Sequence, residues 1–284
     1  MVLYPRNFAE AGPPLPFYLI ILLALVQGIT EFLPVSSSAH LVLVHAAFGA
    51  HSPGDAVAVV LDVAVHLGTL GAVLVYLRRD IARLAGTGLA GLAGRRRPAG
   101  WALGWYTAAA AVPVAVAGAL LKDTLTADLR SIEVIAWTTL SFGLALWAAD
   151  RYGWKILPLD SLRLPHALAI GMAQILALAP GVSRSGIVMT AALAFGFRRA
   201  EAARFSLLLS IPVILGAGLW TARDLTQMGD PSLAAAAAIA SLLAFLAAIA
   251  AIAAMMRWLA RASFTPFVVY RILLGGLLLV WVYS

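Results

Sequence analysis

Long apolar stretches, separated by short polar gaps, run along nearly the whole chain. Six of them are long enough, or nearly so, to cross a hydrocarbon core of about 30 Å as a helix that rises 1.5 Å per residue. These six stretches cover residues 56–77, 101–121, 132–149, 202–222, 233–256 and 267–283. The pattern predicts an all-α protein that crosses a membrane several times.

Two further apolar stretches are interrupted by polar residues. Residues 17–33 run into Pro34 and a run of three serines, and residues 166–179 run into Pro180, followed by glycine, serine and arginine. A second short apolar segment follows each interruption. Irregular polar backbone at membrane depth is tolerated only inside protein or beside a wet cavity. We therefore predict two re-entrant helix–loop–helix hairpins, residues 17–50 and 166–197.

The two hairpins resemble each other in spacing. Pro34 and Pro180 lie 146 residues apart, and a serine, Ser37 or Ser183, follows each by three residues. Each half of the chain then holds one hairpin and three spans, and an odd number of spans inverts the second half in the membrane. The prediction is a single membrane domain, residues 1–284, built from two inverted repeats at 17–149 and 166–284.

Composition excludes a soluble fold. Hydrophobic residues make up 62% of the chain and charged residues 12%, about half of the ~25% that is usual in soluble domains. The net charge of +7 does not indicate a nucleic-acid partner, because most basic residues lie in gaps between apolar stretches, as the positive-inside bias predicts. Cysteine is absent, which excludes disulfides and thiolate chemistry.

Charge also predicts the orientation in the membrane. The gap after residue 77 holds six arginines, among them residues 95–97, against one aspartate, which makes it a cytoplasmic loop. Alternation from this loop puts both termini outside. The first hairpin then enters from outside and the second from inside, so that their tips can meet near the midplane.

The first hairpin carries reactive side chains around its interruption. Gln27 and Glu31 are four residues apart and share a helix face, and a carboxylate within an apolar helix costs about 2.5–3.5 kcal/mol on insertion scales. Ser36 and Ser37 are natural N-cap residues, and His40 lies one turn after Ser37, where it can take the serine's proton. Each residue alone has a structural explanation, but their clustering favours chemistry.

The second hairpin carries the donors that a phosphate group needs. Ser183, Ser185 and Thr190 supply hydroxyl groups, and the planar guanidinium of Arg184 suits a phosphate. Arg184 can also neutralise Glu31, and the two roles are compatible.

Three polar residues inside the spans have less certain roles. Arg271, early in the last span, either reaches a phosphate or snorkels to the interface. Asp62 and His66 are four residues apart in one span. They either support the site or make a packing contact between helices, and we favour packing.

The motifs at 27–40 and 180–186 resemble the two signatures of the undecaprenyl-diphosphate phosphatases, the bacitracin-resistance protein family. Residues 31–40 read Glu-Phe-Leu-Pro-Val-Ser-Ser-Ser-Ala-His, and 180–186 read Pro-Gly-Val-Ser-Arg-Ser-Gly. Segments 205–212 and 263–271 are also similar to the family's. The resemblance implies a multi-pass hydrolase of the bacterial inner membrane with its site open to the periplasmic side. It would recycle the lipid carrier of peptidoglycan synthesis, and so support the cell wall and cell shape, and confer bacitracin resistance.

Carried over by position, the resemblance gives Glu31, Ser37, His40 and Arg184 catalytic roles. It also puts Ser183 at an essential position and Gln27 at a Glu/Gln position of the first motif, and we expect both to contact substrate. From their own side chains we expect further substrate contacts at Ser36, Ser185, Thr190 and Arg271. Two positions depart from the family pattern. Gln27 stands where many members have Glu, and Val188 stands where the family has Thr, so that the hydroxyl of Thr190 would point off that face.

Hydrolysis of a polyprenyl diphosphate would follow from this arrangement. Arg184 and Ser183 would hold the diphosphate, Ser37 or a water would attack, and His40, oriented by Glu31, would take the proton. Mg²⁺ or Ca²⁺ bridging Glu31 and the diphosphate is the cofactor considered, although one carboxylate makes a poor site. The alternative function is a transporter that moves a polyprenyl phosphate between leaflets. The partners are this lipid and the membrane, with a homodimer as a candidate assembly.

Overall fold

The computed structural model describes residues 16–48, 56–92, 102–121, 129, 131–225 and 231–284. These residues form eleven α-helices, and the same part of the chain contains no β-strand. The helices are α1 (Phe17–Thr30), α2 (Ser37–Phe48), α3 (Ala56–Tyr76), α4 (Arg78–Leu92), α5 (Leu103–Leu121), α6 (Ile132–Tyr152), α7 (Leu164–Gln174), α8 (Arg184–Ala194), α9 (Arg199–Leu225), α10 (Pro231–Leu259) and α11 (Thr265–Tyr283).

Six of the helices are long and apolar enough to cross a membrane, namely α3, α5, α6, α9, α10 and α11. They coincide with the six predicted apolar stretches. Large hydrophobic side chains lie exposed along them, for example Trp137 on α6 and Leu277 on α11, as expected where lipid is the solvent. The prediction of an all-helical, multi-pass membrane protein is confirmed.

Both interrupted stretches are broken helices. A non-helical segment, residues 31–36, separates α1 from α2, and a second one, residues 179–183, separates the 3₁₀ turn after α7 (Ile175–Leu178) from α8. We call these segments the first loop and the second loop. The second helix of each pair begins three or four residues earlier than its apolar residues predict, because Ser36 and Ser183 cap it.

The first part of the gap after residue 77 is helical, where the sequence predicted a loop. Its residues 78–92 form α4, with Ile81 and Leu84 packed against the core. Asp80 of this helix forms an ion pair with Arg204 of α9, so the charged gap is held to the helical body. Residues 95–97 lie outside the described residues, and the inside location of this segment stays a prediction.

The broken helices pack against spans from the other half of the chain. Helix α1 packs on α10, and α7 packs on α5. The spans also pack against spans of the other half, since α3 packs on α9 and α10, and α6 packs on α11. Both loops are thereby held inside the helical body. The inverted orientation of the halves, and the repeat boundaries at 17–149 and 166–284, stay predictions.

Helices α6 and α11 approach each other closely because glycines face the partner helix. A Cβ atom on Gly143 of α6 would lie 2.9 Å from the Cβ of Arg271 on α11, and one on Gly275 would lie 3.0 Å from the carbonyl oxygen of Ala136. Only a residue without a side chain fits at such distances. This close packing brings Arg271 within reach of both loops.

Candidate active site

The first and second loops lie against each other through hydrogen bonds. The backbone N–H of Gly181 donates to Ser36 Oγ at 3.2 Å, and Ser185 Oγ donates to the carbonyl of Leu33 at 2.8 Å. Residues about 150 positions apart in the chain therefore line one site.

The last residue of each loop has the same unusual φ. Ser36 and Ser183 both have φ of 72°, a left-handed conformation that costs a non-glycine residue about 1–3 kcal/mol. Each caps the next helix, since Ser36 Oγ accepts from Ala39 N at 3.4 Å and Ser183 Oγ accepts from Gly186 N at 3.1 Å. The 146-residue spacing paired Ser37 with Ser183. By conformation, Ser36 is instead the equivalent of Ser183, so that Ser37 occupies the position in the first hairpin that Arg184 occupies in the second.

The second loop depends on a glycine. Gly181 has φ of 90°, and a Cβ there would lie 2.0 Å from Thr138 Oγ1 of α6. The same Thr138 hydroxyl donates to the carbonyl of Pro180 at 2.7 Å. Because any side chain at position 181 would collide with this contact, the loop can follow its path only with glycine.

Glu31 is the centre of the polar cluster. Its Oε2 accepts hydrogen bonds from Ser37 Oγ at 2.7 Å and from Gln27 Nε2 at 2.9 Å, and its Oε1 accepts from Arg184 Nη2 at 3.0 Å. The residue is only 7% exposed. The predicted shared face of Gln27 and Glu31 is confirmed. Gln27, expected to contact substrate, donates to Glu31 and so orients the carboxylate.

Arg184 links the second hairpin to the first and keeps one donor group unused. Its Nη2 pairs with Glu31, whereas its buried Nη1 has no hydrogen-bond partner among the described residues. The guanidinium carbon lies 6.0 Å from the centre of the Phe32 ring. A buried donor without a partner is costly, so an anionic group bound beside Arg184 would satisfy it.

His40 does not pair with Ser37, in contrast to the sequence prediction. Its Nδ1 lies 2.7 Å from the carbonyl oxygen of Ser36, and therefore carries the proton, while its Nε2 accepts from the hydroxyl of Tyr270 at 2.5 Å. The His40 and Tyr270 rings are also stacked. The imidazole turns back to a carbonyl four residues earlier in the chain, and Ser37 donates to Glu31 instead. Tyr270 was not predicted to be a site residue, although it precedes Arg271 in the segment 263–271 that is similar to the family's.

His66 is a second histidine that the sequence analysis did not assign to the site. Its Nδ1 lies 2.6 Å from the main-chain carbonyl oxygen of Asp62, and its Nε2 lies 3.9 Å from Glu31 Oε2. The bond to Asp62 is local to α3, as the packing interpretation expected. The approach of His66 to Glu31, in contrast, joins α3 to the first hairpin. The only feature of the sequence that could have indicated it was an ionisable residue in the middle of a span.

The remaining hydroxyls of the second hairpin donate hydrogen bonds to other groups of the protein. Ser185 Oγ donates to Leu33, so the 3.1 Å contact between the Ser183 and Ser185 hydroxyls is donated by Ser183. Thr190 Oγ1 donates to the carbonyl of Gly186, in its own helix. The protons of these three hydroxyls are engaged within the protein. Their predicted contacts with substrate stay predictions.

The structure gives the Arg271 side chain main-chain partners, rather than the free donors that the phosphate-contact interpretation requires. The side chain is fully buried, and its guanidinium donates to five main-chain carbonyls. These belong to Pro34 of the first loop, Gly181 and Val182 of the second loop, and Thr138 and Thr139 of α6. A guanidinium has five N–H donors, so none is left for a substrate.

The polar cluster does not by itself form a cation site. Within the described residues no group of three or more His, Asp or Glu side chains could hold a metal ion. Both oxygens of Glu31 already accept hydrogen bonds. A Mg²⁺ or Ca²⁺ ion bridging Glu31 and a diphosphate stays a prediction, and no step below depends on one.

Comparison with known proteins agrees with the geometry. The family profile described as "Bacitracin resistance protein BacA" matches residues 20–277. The chain is 48% identical over 262 residues to the undecaprenyl-diphosphatase of Alcanivorax borkumensis, covering 92% of this chain and 97% of that protein. It is 46% identical over 270 residues to the undecaprenyl-diphosphatase of Ruegeria pomeroyi, covering 93% of this chain and 98% of that protein. The chain therefore belongs to the bacitracin resistance protein BacA family.

Proposed function

We propose that this protein hydrolyses undecaprenyl diphosphate to undecaprenyl phosphate and inorganic phosphate. One observation carries the proposal: Ser37, Glu31 and Arg184 are joined by hydrogen bonds at the meeting point of two broken membrane helices. This group combines a nucleophile, a base and a cation, which are the parts that phosphoryl transfer requires. The substrate follows from the relatives, which carry the name undecaprenyl-diphosphatase.

The diphosphate would bind where α2 and α8 begin. The first N–H groups of a helix have no partner within the helix and, with the helix dipole, favour an anion. The two helix starts adjoin, because their capping serines lie in loops that contact each other. The unused Nη1 of Arg184 adds a charged donor at this place. The prenyl chain would remain in lipid.

Transfer of the phosphoryl group to Ser37 is the first chemical step. Ser37 Oγ attacks the terminal phosphorus, its proton passes to Glu31, and the bond between that phosphorus and the bridging oxygen breaks. Undecaprenyl phosphate leaves with the bridging oxygen and its electron pair. Protonation of Glu31 weakens its pairing with Arg184, so that more of the guanidinium charge acts on the phosphates.

Hydrolysis of the phosphoserine completes the reaction. A water attacks the phosphorus, the bond from Ser37 Oγ to phosphorus breaks, and Glu31 returns its proton to Oγ. Both protons of the water leave with the phosphate, as dihydrogen phosphate. Glu31 is then a carboxylate again, paired with Ser37 and Arg184 as in the structure.

The cellular setting is proposed from the orientation and the family. With both termini outside, the site would open toward the periplasmic side of the bacterial inner membrane, where the carrier's diphosphate form could be recycled for peptidoglycan synthesis. The name of the family profile supports a role in bacitracin resistance.

The test is release of phosphate by the purified protein in detergent, with undecaprenyl diphosphate as substrate and Ser37→Ala as the inactive control. Phosphate release that requires Ser37 is expected. A protein that releases no phosphate would refute the proposal. If the same protein moves the lipid between the leaflets of proteoliposomes, the transporter alternative would replace it.

A further inference from the structure

Arg271 combines a buried charge with an unusual set of partners. The structure gives it five carbonyl acceptors on three separate elements, and no carboxylate within ion-pair distance among the described residues. Charged side chains inside membrane spans are costly and mark functional places. Since a leucine would fill this position of α11 at no such cost, the guanidinium has a role that packing does not explain.

We propose that Arg271 is a positioning residue that holds the first and second loops in the relative position that brings Ser37 and Glu31 to Arg184. This inference rests on the proposed function for its kinetic consequence, but the geometry stands without it. Pro34 lies in the first loop, three residues from both Glu31 and Ser37 in the chain. Val182 lies two residues before Arg184. The guanidinium spans these two carbonyls through a single nitrogen, Nη1, at 3.2 and 3.1 Å.

The bonds to the second loop also fix the direction of its peptide groups. In a trans peptide the C=O and the following N–H point in opposite directions. Because the carbonyl of Val182 faces Arg271, the N–H of Ser183 is turned away from α11. Arg271 thus sets the orientation of a backbone donor at the start of α8, without touching the substrate itself.

A lysine cannot replace this arrangement. Its ammonium is a single point with three donors, whereas the carbonyls of the two loops and of α6 are bonded by three different nitrogens of the guanidinium. In Arg271→Lys the charge stays but the loops are no longer held together. A displacement of about 1 Å in a reacting group can lower the rate about 10²-fold.

Kinetics of phosphate release from undecaprenyl diphosphate provide the first readout. Arg271→Lys should lower kcat about 10²-fold and raise KM by a smaller factor, because the groups that bind the diphosphate are displaced but still present. The matched control is Arg199→Lys, which alters an arginine paired with Asp150 at 2.6 Å, away from both loops. A kcat in Arg271→Lys equal to that of Arg199→Lys would overturn the proposal.

A glycine pair tests the same idea without changing the guanidinium. In Gly143→Ala the new Cβ would lie 2.9 Å from Arg271 Cβ and push the arginine from its place, whereas Gly276→Ala meets nothing within 4 Å. Loss of kcat in Gly143→Ala, with Gly276→Ala unchanged, is expected. Equal activity in the two variants would count against positioning by Arg271, and this comparison holds even if Arg271→Lys fails to fold.

A distance measurement reads the loops directly. The chain has no cysteine, so spin labels can be attached at Ile29→Cys and Leu176→Cys, on exposed positions just before each loop. Pulsed electron resonance should give one narrow distance distribution, which broadens in Arg271→Lys but not in Arg199→Lys. An unchanged distribution in Arg271→Lys would overturn the proposal. If the parent releases no phosphate, the proposed function fails, but this measurement still decides the role of Arg271.

Discussion

The hydrogen bond from Ser37 to Glu31 makes a quantitative prediction about two variants and their combination. The Oγ–Oε2 distance of 2.7 Å is that of a charge-assisted bond, so Glu31 is placed to accept the proton of Ser37. Loss of a general base typically costs about 10²–10⁴ in rate. We expect Glu31→Gln, which keeps the size of the side chain, to lower kcat by about 10³-fold within this range.

The double variant separates a shared step from two independent ones. If Glu31 acts through Ser37, the variant Ser37→Ala/Glu31→Gln should be no slower than Ser37→Ala alone, because the base has nothing left to deprotonate. Independent roles would multiply instead, so that the double variant would be slower than Ser37→Ala by a further factor of about 10³, the loss expected of Glu31→Gln alone. The two hypotheses therefore differ by about three orders of magnitude in kcat, or about 4 kcal/mol in activation free energy.

The assay follows phosphate released from undecaprenyl diphosphate labelled at its terminal phosphorus, which allows very slow variants to be measured. Ser38→Ala is the matched control, since this neighbouring hydroxyl contacts Ser36 and not Glu31, and it should retain nearly full kcat. A double variant that shows the product of both single losses would refute Glu31 as the base for Ser37. Substantial turnover by Ser37→Ala would refute Ser37 as the nucleophile.

Three further outcomes are expected. A cysteine introduced beside Arg96 should be labelled by an impermeant reagent only from inside and one at Ser284 only from outside; equal labelling from one side would contradict the predicted orientation. Arg184→Lys should insert normally but lose about 10²–10³ in kcat, because lysine lacks the planar fork, and near-full phosphate release would return Arg184 to a purely structural pairing. Asp150→Asn should lower the thermal unfolding midpoint, measured by tryptophan fluorescence, and leave kcat unchanged, because it weakens the bond from Arg199 far from both loops; an unchanged midpoint would disprove this.

Much of the fold was predictable because lipid imposes simple rules on a chain. Spans must be long and apolar, and polar interruptions must be buried in protein, so the six spans and the two broken helices were visible in the pattern. Helix α4 was missed for the same reason, since a search for apolar stretches sees the charged segment after residue 77 as a gap. Its helix is instead amphipathic and held by the pairing of Asp80 with Arg204.

The site was predictable where local spacing decides a contact, and unpredictable elsewhere. The four-residue spacing of Gln27 and Glu31 predicted that they share a helix face, and the structure adds a hydrogen bond between them. The role of Arg271 had no such signal, because its acceptors are main-chain carbonyls, which every residue carries whatever its side chain. His40 is a third case, in which the spacing to Ser37 predicted the wrong partner. Its two ring nitrogens instead form hydrogen bonds with the carbonyl of Ser36 and the hydroxyl of Tyr270.

The matching conformations of Ser36 and Ser183 imply a division of labour. Ser36 and Ser183 share the same φ and cap the next helix in the same way, but the residue that follows is Ser37 in one loop and Arg184 in the other. Under the proposed mechanism the first hairpin contributes the nucleophile and the second contributes the positive charge, so neither hairpin contains a complete site. A chain made of two identical halves would hold either two candidate nucleophiles without the arginine or two arginines without the nucleophilic serine. Asymmetry between the halves is therefore a requirement of the proposed chemistry, and only the capping serines are free to remain alike.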